Sequence, residues 1–274
     1  MPAAFLLAAA IVGAAPPCAA IPGATEILSD KSVEWVVVGE HHGTSETPAI
    51  FADLACLAAH VGRAPVIALE LPANDAEAIN AFLASANDDD DAMRQLLQRP
   101  FWHGSLKDGR SSEAMVLLLG RLRQMKAKGL IRGVVPVQPF AMLPGPAFEQ
   151  AMADNVRKSS PSSSDLVLVL VGNLHARLSE PLQEPVRDLP PQPRMASFLP
   201  KDRTVSLSAE GNGGAQWSCV LDRTRQNVCG PSKPLPALVQ RSRGIVRLPG
   251  AGSTYSGYLN IGTATTPSRP AVAP

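Results

Sequence analysis

The sequence predicts an α/β protein: a mostly parallel central sheet flanked by helices, with a C-terminal β-rich extension. Three features carry this expectation. Short apolar runs alternate with helix-patterned stretches through residue 187, and each intervening stretch is long enough for a crossover helix. One run, Leu166 to Val171, is apolar at every position, as in a strand covered on both faces. Beyond residue 187 prolines, glycines and short alternating segments replace that pattern.

Taken in order, the first twenty residues are apolar, Ala- and Leu-rich and uncharged. They are too short for a comfortable membrane span, and small residues near Ala19 and Ala20 suit a signal-peptidase site, so 1–20 is expected to be a signal peptide. Periplasmic or secreted localisation follows, with no stable membrane span after cleavage. Cys18 is preceded by Ala15-Pro16-Pro17, which is not a convincing lipoprotein box.

The β-branched run Val36 to Val38 predicts a buried first strand ending at Gly39. A helix then runs from about Thr44 to Gly62, with Pro48 tolerated in its first turn and Ile50, Leu54, Leu57 and Ala58 forming an apolar stripe. Cys56 lies on that helix and reads as a buried apolar filler. Pro65 to Leu71 is the second strand. Asn74 is expected to cap the next helix with Glu77 as its capping-box partner. Asp88 to Asp91 reads as the solvated start of a helix over 92–97, lacking the ligand spacing of a calcium loop. Residues 99–113 form a long loop.

Ser111 or Ser112 starts a helix marked by Met115, Leu118, Leu119, Leu122 and Met125 and closed by Gly129. Arg132 to Gln138 is the third strand and Pro146 to Arg157 a further helix. Ser159 to Ser164 is a polar connection, and Leu166 to Val171 the fourth strand. After a linker marked by Pro190, Pro191 and Pro193, Thr204 to Ser208 alternates like an exposed strand, with Gln216 to Leu221 pairing back on it as a hairpin. Tyr255 to Gly262 is expected to be a last strand. The domain expectation is therefore a leader (1–20), an α/β core (21–187), a β-rich extension packed on it (188–262) and a disordered tail (263–274). Cys219 and Cys229 flank a polar loop and can close a disulfide, which for so short a loop is worth roughly 3 kcal/mol.

Composition narrows the function. At 274 residues, 45% hydrophobic and 18% charged, the chain can bury a large core. A formal net charge of +1 without a basic block, and only 4% aromatic residues, exclude electrostatic or stacking recognition of nucleic acid. A small molecule or a peptide is the expected substrate; oligomeric state is not encoded in any pattern.

The chemistry lies at strand ends. The first strand runs into Glu40, His41 and His42, with Glu46 close behind. The second delivers Glu70, the third only Gln138, and the fourth runs into Gly172-Asn-Leu-His175. If the strands are parallel, Glu40, His42, Glu70 and His175 reach one rim, the ligand-gathering edge of such sheets. Asp108 and Arg110, in an Asp-Gly-Arg turn of the 99–113 loop, are placed near a substrate on chemical grounds, with His41 and Glu46 as further substrate-binding candidates.

Gly39-Glu40-x-His42, an apolar strand ending in Glu70, and Gly172-x-x-His175-Ala176 together resemble the superfamily that joins erythromycin-esterase-like hydrolases, ChaN-type haem-uptake lipoproteins and Tiki-type metalloproteases. The likeness covers roughly residues 33–187. It implies that Glu40, His42, Glu70 and His175 line an active pocket.

Two mechanisms fit hydrolysis of an ester, lactone or peptide bond. Neutral His42 can act as general base, with Glu70 or Glu40 fixing its tautomer and His175 or Arg110 stabilising an oxyanion. Alternatively His42, His175, Glu40 and Glu70 bind a divalent zinc, manganese or cobalt ion. No Gly-x-Ser-x-Gly elbow supports a serine nucleophile. The rival from another class is a haem or small-ligand binding protein without catalysis, with His103 beside Phe101 and Trp102 as axial ligand; packing of that aromatic pair on the core is the simpler reading. His60, at a helix end, reads as structural.

Overall fold

The computed structural model describes residues 18–86, 90–140, 143–160, 165–179, 192–222, 226–232, 240–249 and 253–272. The leader through residue 17, Asp88 and Asp89, Pro161 with the serines at 162–164, and the prolines at 190 and 191 lie outside them.

A seven-stranded sheet forms the centre, in the order β3-β2-β4-β1-β5-β9-β8. The first four strands are β1 (Trp35–Glu40), β2 (Val66–Pro72), β3 (Gly133–Gln138) and β4 (Val167–Gly172). β5 (Thr204–Glu210) and β9 (Gly257–Asn260) continue the sheet in parallel, and β8 (Gly244–Arg247) closes the edge antiparallel to β9. β1 pairs with β4 from Trp35↔Val167 to Glu40↔Gly172 and with β5 on its other side. β1 and β4 are buried at all six positions, as near-continuous apolar strands of a doubly covered parallel sheet should be.

One face is covered by α1 (Ala24–Ser29), α2 (Glu46–His60), α3 (Ala76–Ala84), α4 (Asp90–Leu97), α5 (Pro100–His103) and α6 (Glu113–Ala127), whose Phe51, Leu54, Phe82, Trp102 and Leu118 pack on Val36, Val38, Ile67 and Leu168. The other face is covered by α7 (Gly145–Lys158) and the segment around Met195 to Leu199, against Trp35, Val37, Val169 and Val171. Ser112 caps α6 by accepting from the Met115 N–H at 3.4 Å, and Gly129 follows the helix with φ of 68°, both as the pattern predicts. α1 is not among the elements expected from the sequence pattern, and it starts at Gly23 without a side-chain cap. Asn74 is not a cap: a 3-10 turn over Ala73–Asp75 leads into α3 instead.

Four expectations change in the C-terminal third and at the leader. Thr204–Glu210 is no exposed hairpin strand; it is buried beside β1, with the Ser206 hydroxyl donating to the Ala176 carbonyl and Ser208 Oγ to Glu210 Oε1 at 2.7 Å. The hairpin partner of β6 (Trp217–Leu221) is β7 (Asn227–Pro231), with Cys219 opposite Cys229 and the two sulfurs bonded. Cys56 is not a free filler, because it forms a disulfide with Cys18, so cleavage near Ala19 and Ala20 would remove its partner. The tail expected to be disordered is a strap. Ser45 N–H donates to the Thr266 carbonyl, Glu113 N–H to the Arg269 carbonyl and Ala114 N–H to Ser268 Oγ, at 2.8–2.9 Å, so residues 266–269 satisfy free amides at the starts of both α2 and α6.

Removing residues 264–274 is expected to lower unfolding stability by about 2 kcal/mol or more, from two helix starts left uncapped. The midpoint of urea unfolding measures this; an unchanged midpoint would show the strap to be ornamental.

Candidate functional site

The carboxyl ends of β1, β2, β3 and β4 converge as their parallel pairing requires. Glu40 is the last residue of β1, Glu70 lies near the end of β2, Gln138 ends β3, and His175 follows β4 in a turn closed by its own N–H to the Gly172 carbonyl at 2.9 Å. Two glycines permit the assembly. A Cβ on Gly172 would lie 2.8 Å from His42 Nε2, so only hydrogen fits where the imidazole crosses β4. Gly109, at φ of 103°, brings the Asp108–Arg110 turn so close to β1 that an added Cβ would lie 2.1 Å from the Gly43 nitrogen.

Glu70 is the hub. Its side chain is 6% exposed. One oxygen accepts from the Gly172 N–H at 2.7 Å and lies 3.5 Å from His42 Nε2. The other accepts from Arg110 Nη1 at 3.1 Å and lies 3.7 Å from His175 Nε2. Each imidazole is oriented from behind by a second buried carboxylate: His42 Nδ1 by Glu40 at 2.8 Å, and His175 Nδ1 by Glu149 at 2.8 Å. Glu149 in turn accepts from the Met195 N–H at 2.8 Å and faces Arg194 at 3.5 Å. Asp108 grips Arg110 from Nε and Nη2 at 2.7–3.2 Å, and Gln138 accepts from its Nη1 at 3.0 Å.

This geometry fixes charge. Burial pushes the His42 imidazole toward neutrality, but the Glu70 charge and the contacts to Glu40 and Glu70 outweigh it and raise its pKa to about 10. Burial likewise disfavours ionised Glu70, yet the charges of His42, His175 and Arg110 hold it well below the usual carboxylate range. His175 is raised too: burial opposes its charge, and the Glu149 contact and the Glu70 charge prevail. At rest His42 is therefore an imidazolium, not the neutral base expected from sequence. With Nδ1–H committed to Glu40, loss of one proton leaves the lone pair on Nε2, facing the pocket.

The sequence candidates divide accordingly. Glu40, His42, Glu70, His175, Asp108 and Arg110 come together. His41 instead lines a separate cavity of about 150 Å³ with Thr44, Thr47 and Glu210. Glu46 is occupied by the strap, accepting from the Thr266 backbone N–H at 2.9 Å and hydroxyl at 2.6 Å. Neither side chain forms a hydrogen bond or ion pair with the Glu70 cluster among the described residues. His103 is exposed on α5, and Trp102 beside it is 1% exposed in the core with Phe101 edge-on, so that aromatic pair is packing. Glu149 is a site residue beyond the sequence candidates; its signal is an acid on the apolar stripe of α7, three and four residues before Met152 and Ala153.

Among the described residues, Glu40, His42, Glu70 and His175 do not bring three ligand atoms within 4.8 Å of one another. Glu40 reaches the nitrogen of His42 that faces away from Glu70, and both Glu70 oxygens already hold donors, one of them a guanidinium. Among the described residues the one group with three ligand atoms within 4.8 Å of each other is Cys18, Cys56 and His60, whose sulfurs are joined.

No family model and no curated protein matches the sequence. Solved structures do match. A Bacillus cereus protein aligns with a TM-score of 0.60 at 12% identity over 89% of this chain and 91% of that one. A point mutant of erythromycin esterase EreC in its open conformation aligns with a TM-score of 0.58 at 10% identity over 80% of each. The type III effector HopBA1 gives 0.50 at 14% identity over 91% and 99%. The chain thus shares its fold with these structures, and its own Glu/His cluster lies at the carboxyl edge of the sheet.

Proposed function

We propose that the protein is a metal-independent hydrolase of carboxylic esters or lactones. The observation that carries this reading is the paired geometry of His42 and His175. Each has Nδ1 held by a buried carboxylate and Nε2 turned toward Glu70, beside a clamped Arg110. A base locked in one tautomer and fixed cationic donors beside it are the components that acyl transfer to water needs.

In the proposed reaction His42 Nε2 takes a proton from water as its oxygen adds to the substrate carbonyl carbon. Arg110 and the His175 Nε2–H stabilise the oxyanion. Collapse breaks the bond to the alkoxide, which leaves with the proton from His42, giving acid and alcohol. Glu40 and Glu149 act by positioning the two rings. The fold shared with an esterase supports the reading, and the Cys219–Cys229 disulfide, which leader cleavage would leave in place, accords with a secreted or periplasmic setting. No helix among the described residues is long and apolar enough to cross a membrane.

The test is a panel of aryl and alkyl esters, lactones and peptides, assayed in EDTA with disulfide-intact protein. Turnover of an ester or lactone that chelation leaves intact is expected. Activity found only after adding back one metal would overturn the metal-independent mechanism.

A further inference from the structure

A second cavity, of about 460 Å³, opens on the loop that leads into the Asp108–Arg110 turn. Three segments wall it: the loop with Ser105 and Lys107, the disulfide-closed hairpin with Trp217 and Asn227, and the strap with Arg269 and Pro270. Its polar side chains are mismatched in one direction. Lys107 is 5% exposed, its ammonium donates to the Trp102 carbonyl at 2.5 Å, and no carboxylate pairs with it among the described residues. Trp217 contributes an indole whose N–H is buried without an acceptor. Arg269 is exposed and forms no ion pair among the described residues. No acidic side chain among the described residues lines the cavity.

Buried donors without acceptors are costly, and an unpaired buried ammonium most of all. Burial alone pushes the Lys107 pKa down, with no neighbouring charge restoring it. An oxyanion relieves this deficit. The Trp217 ring, Pro270, the lysine stem and the Cys229 sulfur supply apolar wall for the rest of a ligand.

We propose that this cavity binds a small amphiphilic acid, its carboxylate or phosphate head against Lys107, Trp217 and Arg269 and its apolar body along the hairpin. The assignment is independent of the hydrolase reading because its readout is binding.

Calorimetric titration of the disulfide-intact chain with decanoate and decyl phosphate, below their micellar concentrations, tests it. One saturable site is expected for at least one of these acids, with decanol and inorganic phosphate at least tenfold weaker. Lys107→Met should weaken binding tenfold or more. Exposed Arg269→Ala, which leaves the buried wall in place, should weaken it severalfold. Equal affinity for decanol would remove the anion from the proposal, and equal affinity for inorganic phosphate would remove the apolar body. Binding of neither acid, or binding untouched in Arg269→Ala, would overturn the assignment. Phosphatidylglycerol vesicles distinguish a membrane source: no co-sedimentation is expected, and Arg269-dependent co-sedimentation would assign a lipid headgroup instead.

Discussion

His42→Asn is expected to lower kcat on the best ester substrate by about 10²–10⁴-fold, the range for losing a positioned general base. Asn retains a polar group of similar reach beside Glu40, so the far-UV spectrum and the urea midpoint should stay near wild type. The ring is only partly buried, with 19% of its side chain exposed, and the fold does not hang on it. His175→Asn should cost less, because Arg110 remains on the Glu70 oxygen that it shares with His175 and still faces the developing oxyanion. Wild-type turnover in His42→Asn would contradict both the base assignment and the place of Glu40 behind it.

Glu70→Leu should be the most destabilising single change at the site, by about 3–5 kcal/mol, because one buried partner is removed and its cations are left behind. The side chain offsets the charge of His42 and Arg110, faces His175 and accepts the Gly172 N–H, so its loss leaves β4 and the Arg110 turn without their common acceptor. Glu70→Gln keeps the shape and should cost less stability while still lowering activity. Denaturant unfolding of the three proteins separates these outcomes; a Leu variant as stable as wild type would remove Glu70 as the hub.

Stability should vary with pH in a defined window. The raised His42 pKa means that its contribution is present in full below the ordinary imidazole range and is lost as pH climbs through about 10. The depressed Glu70 pKa means that its contribution is present above the ordinary carboxylate range and is lost on acidification below it. Between the ordinary carboxylate and ordinary imidazole ranges both contributions are full and the unfolding midpoint should be flat, and from there toward about pH 10 it should fall.

The pocket was legible in sequence wherever one strand carried both the apolar run and the ionisable end. β1, β2 and β4 each did, and parallel pairing then dictated one rim. What was missed depends on contacts distant in sequence. Glu149 orients His175 from α7, and its meaning is visible only once α7 lies against the 3-10 turn at Met195. Ser206 and Ser208 give β5 the pattern of a solvated strand, but on its buried face Ser206 donates to the distant Ala176 carbonyl and Ser208 to nearby Glu210. The strap looks unstructured by composition, since its order comes from the helix starts that it caps. The charge of His42 was also out of reach, because it is set by Glu70, which lies on a different strand.

The pH–rate profile of kcat/KM on a turned-over ester or lactone, recorded in EDTA from pH 6 to about 10.5, tests the central claim most directly. If His42 is the base and rests as an imidazolium, activity should rise with unit slope toward a pKa near 10. Glu70→Gln should move that limb to lower pH as the charge that holds the proton disappears. A profile already flat between pH 7 and about 9, or one whose limb ignores Glu70→Gln, would contradict it.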